Sequence, residues 1–151
     1  MKVIRTNSND LNFQQLVKKL DENLEGYYKE EQSFYDELNE IEKIEQVVVV
    51  YNEQEKAVGC GGFKQFSNNE AEIKRMFVSE ESRGKGIATI VLKELEKWSS
   101  ELKFEKCILE TLKQKEYAIK FYQKHHYKVI PNYGAYSKAQ NSVCFAKKLV
   151  S

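Results

Sequence analysis

The chain of 151 residues is 41% hydrophobic and 31% charged, with 24 basic residues against 23 acidic ones. This balance predicts one soluble globular domain over residues 1–151, built around a single core. A net charge of +1 argues against a nucleic-acid-binding protein, because a phosphate-binding surface needs a basic surplus.

The first part of the chain predicts a strand, two helices and a β-hairpin. Residues 3–4 suggest a short strand, and Asp10 is a plausible N-cap before apolar residues at helical spacing. A second helix is predicted over 32–39. The β-branched run 46–51 and the glycine-rich run 57–66 flank a polar turn and together predict the hairpin.

The rest of the chain alternates strands and helices. The predicted elements are a strand over 71–78, a loop over 80–86, a helix over 87–102, a strand over 106–111, a helix over 116–125, a strand over 127–130 and a last strand over 142–150. The strand–helix–strand unit 71–111 favours parallel pairing of its two strands. The sequence therefore predicts an α/β fold with a mixed sheet.

Charge is unevenly distributed along the chain. Residues 21–45 contain ten acidic residues and two lysines, a net of −8, and residues 101–151 contain ten lysines and four glutamates, a net of +6. One interpretation is that these are solvated helix faces. The other is that the acidic segment attracts a cationic substrate while the basic one lies near a polyphosphate.

The cysteines and the lack of long apolar segments indicate the cellular compartment in which the protein is expected. Three widely spaced cysteines, with no CxxC or Cys/His cluster, indicate buried, reduced thiols of an intracellular protein rather than a metal site. The N-terminus lacks the apolar core of a signal peptide, and no stretch approaches the roughly 20 apolar residues that span a bilayer. We therefore expect a cytoplasmic protein without a membrane partner.

The strongest functional signal is the loop 83–88, Arg-Gly-Lys-Gly-Ile-Ala, between a predicted strand and a predicted helix. A polyphosphate there would meet unpaired N–H groups and the positive dipole end of the helix. Gly84 and Gly86 remove side chains that would block its approach. Arg83 and Lys85 add positive charge, and small Ala88 lets the first turn come close. The loop is neither a Walker A motif nor GxGxxG, and the alternative is a plain turn.

Two motifs resemble the signatures of the GNAT superfamily of acetyl-CoA-dependent N-acetyltransferases. Lys74-Arg-Met-Phe-Val78 followed by the loop 83–88 is similar to the R/Q-x-x-G-x-G/A acetyl-CoA signature. Glu110-Thr111 and then Ala118-Ile-Lys-Phe-Tyr122 are similar to the second signature, a strand followed by an A-x-x-F/L-Y helix. The resemblance extends over residues 47–149.

This resemblance implies the GNAT fold, a mixed, mostly antiparallel sheet flanked by helices. Two central parallel strands, 71–78 and 106–111, would splay at the cofactor. It implies acetyl-CoA as cosubstrate, with no metal, and a pantetheine bonded to backbone near Phe77 and Val78. The pyrophosphate would be held by backbone amides of Arg83, Gly84, Lys85, Gly86, Ile87 and Ala88.

Acetyl transfer from a thioester to an amine needs a base for the amine proton, a donor for the oxyanion and an acid for the thiolate. The resemblance implies that Tyr122 is the acid, although spacing alone would make it a core tyrosine. Glu72 shares a face with Val78 by period-two alternation, and resemblance to the histone-modifying branch implies that it is the base. The alternatives for Glu72 are a polar residue near a strand edge, with a water chain as base. The N–H of Phe77 or Val78 is the natural oxyanion donor.

Several other residues leave alternatives open. Gln114 falls where many members have an Asn or Gln that bonds the cofactor, or it is a loop residue. His126 stands where the family usually has glycine, so it must adopt the helix-ending conformation that glycine tolerates best. With His125 it is more typical of an exposed cap than of a base or ligand. Cys107 and Cys144 are predicted as small core residues rather than nucleophiles.

The acceptor is expected to be a primary amine, on a small cationic metabolite or a peptide. Tyr133 and Tyr136 could bound its pocket or pack a loop, and tyrosines of the acidic region could contribute, namely Tyr27, Tyr28 and Tyr35. A homodimer formed through the final strands is implied by the resemblance alone.

Two other functions compete with the enzyme. A protein of the same fold could bind acyl-CoA as a sensor or regulatory module without turnover, although the retained Tyr122 and Glu72 favour catalysis. A nucleic-acid-binding protein would use the basic C-terminal third, and the near-zero net charge and the missing recognition motif disfavour it.

Overall fold

The computed structural model describes residues 1–28 and 43–150. Within these ranges it contains strands β1 (Lys2–Thr6), β2 (Gln46–Tyr51), β3 (Ala57–Ser67), β4 (Glu70–Val78), β5 (Lys106–Leu112), β6 (Lys128–Ile130) and β7 (Ser142–Lys148), and helices α1 (Leu11–Tyr28), α2 (Ile87–Glu101) and α3 (Glu116–Lys124). The predicted helix over 32–39 lies outside the described residues. The other predicted helices and strands are confirmed, with ends that differ by a few residues.

Hydrogen bonding joins the strands in the order β1-β2-β3-β4-β5-β7-β6. The pair β4/β5 is parallel, whereas β1/β2, β2/β3, β5/β7 and β6/β7 are antiparallel. The predicted fold class, a mixed and mostly antiparallel sheet with one parallel pair, is therefore confirmed. The parallel pairing involves residues 70–72 of β4 and 106–108 of β5, which are the first few residues of each strand.

Two compact units make up the chain: a first unit of residues 1–63 and 75–95, and a second unit of residues 64–74 and 96–151. In the first unit, α1 covers one face of the hairpin. Its apolar stripe joins buried residues of the strands in one core cluster, which comprises Phe13, Leu16, Leu20, Ile44, Val47, Val49, Cys60 and Phe77. Burial of this stripe explains why the apolar residues of α1 recur at helical spacing.

Glycines let α2 approach the other face of β3 closely. A Cβ added at Gly59 would lie 2.5 Å from Cγ2 of Ile87, and one added at Gly61 would lie 2.9 Å from Cγ1 of Val91. Real Cβ atoms are not found that close to another carbon, so both positions require glycine. Because helices cover both faces of the hairpin, all four valines of 47–50 are fully buried. This explains their continuous apolar run in place of the alternation of a half-exposed strand.

Asp10 begins α1 as predicted. Its Oδ1 accepts hydrogen bonds from the backbone N–H of Asn12 at 2.9 Å and of Phe13 at 3.0 Å. Its carbonyl accepts the first helical bond, from the N–H of Gln14 at 3.0 Å. These contacts satisfy N–H groups that would otherwise lack partners at the helix start, which confirms Asp10 as the N-cap.

His126 ends α3 in the conformation that the sequence requires of it. Its φ is 72°, in the left-handed region that glycine tolerates best. The N–H of Tyr127 donates to the carbonyl of Tyr122 at 3.0 Å, and the N–H of His126 donates to that of Gln123 at 3.0 Å. This bond pair is a Schellman motif with a histidine at the usual glycine position.

The cysteines are free and buried. Burial raises the pKa of Cys60 to about 12, of Cys107 to about 11 and of Cys144 to about 11. Thiols that remain protonated at neutral pH are poor nucleophiles, which agrees with their predicted core role. Among residues 1–28 and 43–150, no cluster of three potential metal ligands is found. None of the helices in that part of the chain has the length and apolar character needed to cross a membrane.

Candidate active site

The glycine loop follows β4 in the first unit. A short 3₁₀ turn over Glu80–Ser82 leads into it. Gly84 has a φ of 79° and Gly86 a φ of 78°, a conformation that costs any residue with a Cβ. A Cβ added at either position would meet no atom within 4 Å. The glycines are therefore required by the backbone conformation, and the surface beside them is open to a ligand.

Helix α2 starts at this loop. The first hydrogen bond of the helix is donated by the N–H of Ile90 to the carbonyl of Gly86 at 3.1 Å. The N–H groups of Ile87 and Ala88 precede that bond and lie at the positive end of the helix dipole, where anions are stabilised. The side chain of Ile87 is buried beside Gly59. Ile87 therefore offers a ligand its backbone alone.

The two basic residues of the loop are placed differently. Arg83 folds back on the end of β4, where its Nε donates to the carbonyl of Val78 at 3.1 Å. Its guanidinium lies 5.8 Å from the ring centroid of Phe77. Lys85 is exposed between the two glycines. Arg83 thus stabilises the junction of strand and loop, while Lys85 supplies the positive charge beside the glycines.

Strand β4 is irregular at Arg75, whose φ is 60°. The carbonyl of Arg75 accepts a bond from the thiol of Cys60 at 3.4 Å. Its guanidinium donates to Oδ1 of Asp21 in α1 at 2.8 Å. A positive φ inside a strand interrupts the alternation of side chains. The expected common face of Glu72 and Val78 assumes an unbroken strand, so it stays a prediction.

Tyr122 lies in the second unit, on the buried face of α3. Its ring centroid is 5.6 Å from that of Tyr127 and 6.3 Å from that of Phe145. Burial raises the pKa of its hydroxyl above the usual range, and the charges of Tyr117 and Glu110 act in the same direction. The hydroxyl is therefore protonated at neutral pH, as a proton donor must be. Whether it acts as the acid stays a prediction.

Glu72 is buried, with 4% of its surface exposed. Its Oε2 accepts a hydrogen bond from the hydroxyl of Tyr133 at 2.7 Å. The ring of Tyr133 also contacts Phe66, at 4.9 Å between centroids, and Tyr136, at 5.9 Å. The tyrosine-rich segment before β7 therefore packs on the candidate base, an arrangement that the sequence motifs do not indicate.

A second carboxylate, Glu110 of β5, is a candidate base that the sequence identifies only as part of the second signature. Its Oε2 accepts a hydrogen bond from the hydroxyl of Ser142 at 2.6 Å. Burial is the main cause that raises its pKa to about 7, and the charge of Glu72 adds to the rise. A group that titrates near neutral pH suits proton transfer. The available signal was a lone carboxylate directly after the apolar run 107–109.

The remaining residues that the sequence predicts for the site lie at the surface, or their side chains are not among those that the structure describes. Gln114 is exposed in the turn between β5 and α3, and its contact with a cofactor stays a prediction. His126 is exposed, and the ring of His125 contacts Phe121 at 4.7 Å. Among the tyrosines of the acidic region, Tyr27 and Tyr28 belong to the last turn of α1, and Tyr35 lies outside the described residues.

Known proteins share this fold. A proposed acyl-CoA N-acyltransferase from Klebsiella pneumoniae has a TM-score of 0.82 and 21% identity, with 99% of this chain and 97% of that chain covered. A GNAT-family acetyltransferase from Staphylococcus aureus has a TM-score of 0.76 and 18% identity, with 99% of each chain covered. Ard1 from Thermoplasma volcanium has a TM-score of 0.73 and 18% identity, covering 99% and 98%. At these identities the similarity shows a shared fold.

The family follows from the sequence itself. No curated protein matches the chain, but the sequence profile of the acetyltransferase (GNAT) family matches residues 13–127. The matched range contains the glycine loop, both carboxylates and Tyr122. This chain therefore belongs to the GNAT acetyltransferase family, whose fold binds acyl-CoA and supports acyl transfer.

Proposed function

We propose that this protein transfers the acetyl group of acetyl-CoA to a primary amine. The observation that carries the proposal is the loop 83–88, where two glycines with positive φ precede the N-terminus of α2. Backbone N–H groups and a helix dipole at such a junction favour a diphosphate. Acetyl-CoA contains one, and it supplies the acetyl group as an activated thioester.

The residues of the loop fit this cosubstrate. A polyanion needs donors, positive charge and an unobstructed approach. Ile87 and Ala88 offer backbone N–H groups, exposed Lys85 offers charge, and the glycines leave the surface open. We assign the pyrophosphate to this loop. The backbone of Phe77 and Val78 is assigned to the pantetheine and to the oxyanion.

Tyr122 is assigned as the acid that returns a proton to the departing sulfur. An acid must hold its proton until the leaving group develops negative charge. Burial, which raises the pKa of Tyr122, keeps that proton in place at neutral pH. A buried hydroxyl with a raised pKa is also a poor nucleophile, which supports direct attack by the amine rather than a covalent enzyme intermediate.

The acceptor is assigned as a cation that becomes neutral on reaction. A primary amine is an ammonium ion at neutral pH and must lose a proton before its nitrogen can attack the carbonyl carbon. The second unit holds two carboxylates that could take this proton, Glu72 and Glu110, with the aromatic ring of Tyr133 beside the first. Their negative charge favours a cationic metabolite or a peptide amine over a neutral acceptor.

Calorimetry with acetyl-CoA tests the cofactor assignment. The native protein is expected to bind in the micromolar range, about −8 kcal/mol. Gly86→Glu places a carboxylate at the proposed phosphate position and is expected to abolish binding. Lys85→Glu is expected to weaken binding about tenfold or more, since it replaces an attraction by a repulsion.

The matched control is Lys93→Glu, which makes the same charge change at an exposed lysine of α2 outside the loop. It should leave the affinity within about twofold, because screening weakens charges at a distance. Absence of binding by the folded native protein would refute the proposal. Binding without release of coenzyme A across a panel of primary amines would favour the acyl-CoA-binding module without turnover.

A further inference from the structure

Glu72 and Glu110 project from the same face of the sheet. In the parallel pair, Glu72 is the register partner of Ile108, and register partners share a face. Glu110 follows two residues after Ile108 in β5 and therefore lies on that face as well. Its own partner across β7 is Cys144. The two carboxylates thus come from neighbouring strands and from positions far apart in the sequence.

Each carboxylate has its own hydroxyl donor. Tyr133 donates to Glu72 at 2.7 Å, and Ser142 donates to Glu110 at 2.6 Å. Asn132 holds the segment between these two donors, since its Nδ2 donates to the carbonyls of Ala139 and Ser142, each at 3.1 Å. Asn132 therefore ties the loop after β6, which carries Tyr133, to the start of β7, which carries Ser142.

The surroundings make the two carboxylates unequal. Glu72 is buried at 4% exposure and accepts the hydrogen bond from Tyr133. The charge of Glu72 then disfavours ionisation of Glu110. The groups that act on Glu110 come from several elements, namely Ser142 of β7, Lys74 and Glu72 of β4, and Lys115 before α3. Glu110 in turn acts on Tyr122 of α3 and Cys144 of β7. Paired groups whose environments separate their proton affinities are how active sites assign an acid and a base.

Resting on the proposed function, we propose that Glu110 takes the proton from the acceptor amine. Glu72, held by Tyr133 on the same face of the sheet, is a positioning residue for Glu110. One proton moves from the ammonium nitrogen to a carboxylate oxygen of Glu110, and the neutral nitrogen then attacks the thioester carbon. As the nitrogen–carbon bond forms and the carbon–sulfur bond breaks, Tyr122 gives its proton to the sulfur, and the second proton lost by the nitrogen replaces it on Tyr122. Glu110 releases its proton to solvent after the turnover, so no other reactant is needed.

The pH dependence of kcat/KM for the amine distinguishes the two carboxylates. Glu110→Gln should lower it about 10² to 10⁴-fold, the usual contribution of a proton-transfer group. Glu72→Gln should retain turnover. It should move the ascending limb of the pH profile of kcat/KM to lower pH, on the order of one pH unit, because it removes the neighbouring like charge. Loss of turnover in Glu72→Gln with full turnover in Glu110→Gln would overturn the assignment.

Tyr133→Phe tests the positioning role. Without the hydroxyl donor, the Glu72 carboxylate is held less firmly beside Glu110, so the ascending limb of the pH profile should shift in the same direction as in Glu72→Gln and by less. The double variant Glu72→Gln/Tyr133→Phe should match Glu72→Gln alone, because the hydroxyl would act through Glu72. Additive shifts would overturn this linkage. Glu105→Gln, at an exposed carboxylate outside the pair, should leave the limb unchanged.

Direct titration separates this inference from the proposed function. In the full-length protein with ¹³C-labelled glutamate side chains, and without acetyl-CoA, the Glu110 resonance should titrate near neutral pH and move to lower pH in Glu72→Gln. A Glu110 resonance that titrates as an ordinary carboxyl overturns the inference even if amines are acetylated. If the titration is as expected but no amine is turned over, the proposed function fails while the coupling of the two carboxylates stands.

Discussion

Glu110 is expected to destabilise the folded protein at neutral and alkaline pH. In the unfolded chain its carboxyl titrates at the ordinary value of 4.5, and in the folded protein burial raises its pKa to about 7. Below 4.5 the group is protonated in both states and contributes nothing. Above 7 it is ionised in both states, and the folded state carries the cost of a poorly solvated charge. Stability therefore falls as the pH rises from 4.5 to 7.

The size of this effect follows from the two pKa values. The difference between 4.5 and about 7 corresponds to about 3 kcal/mol in the free energy of unfolding. Glu110→Gln keeps the shape of a protonated glutamate and an oxygen that can accept from Ser142. The variant should therefore be more stable than the native protein by about 3 kcal/mol at about pH 8 and equally stable at about pH 4.

Urea unfolding followed by circular dichroism at the two pH values measures the difference. The comparison is between native protein and variant at each pH, so the titration of all other groups cancels. Glu105→Gln is the control, because its carboxylate is exposed and should give a difference near zero at both pH values. A gain in stability that does not depend on pH, or no gain at about pH 8, would refute the argument from burial.

Substitutions test three further local features of the fold by the same unfolding measurement. His126→Gly should stabilise the protein by about 1 kcal/mol, because glycine accepts a positive φ without strain, whereas His125→Gly, at a φ of −93°, should destabilise it. Asp10→Ala should cost about 1 kcal/mol through loss of the N-cap, and Asp10→Asn should restore most of that loss. Gly61→Val should lower the free energy of unfolding by about 1–3 kcal/mol or more, because the valine side chain is forced against α2. An unchanged free energy of unfolding would contradict the close approach of strand and helix.

Local signals allowed much of the fold to be predicted from the sequence. The run of valines 47–50, the N-cap Asp10 and the histidine at the glycine position of α3 each depend on neighbours within a few residues. Backbone conformation at such positions is determined by sterics and short-range hydrogen bonds. The glycine loop belongs to this group as well, since positive φ at Gly84 and Gly86 is a property of the residue type.

The irregularity of β4 could not be predicted, because arginine carries no preference for a positive φ. Arg75 takes this conformation in the presence of two tertiary contacts, its ion pair with Asp21 of α1 and the bond from Cys60 of β3 to its carbonyl. Both partners are distant in the sequence. The alternation of side chains along β4 is therefore interrupted at Arg75, and the sequence-based link between Glu72 and Val78 stays a prediction.

The pairing of Glu72 with Glu110 illustrates why the base was the least predictable part of the site. A motif identifies residues one at a time, whereas proton affinity depends on what burial and strand register place beside each carboxylate. Here the register of β4 with β5 places both carboxylates on one face. Tyr133 of the loop after β6 supplies a hydroxyl to one, and Ser142 at the start of β7 supplies a hydroxyl to the other. The sequence alone favours Glu72, the residue that matches a family position. The surroundings favour Glu110, because burial and the neighbouring charge of Glu72 raise its pKa to about 7, which suits proton transfer at neutral pH.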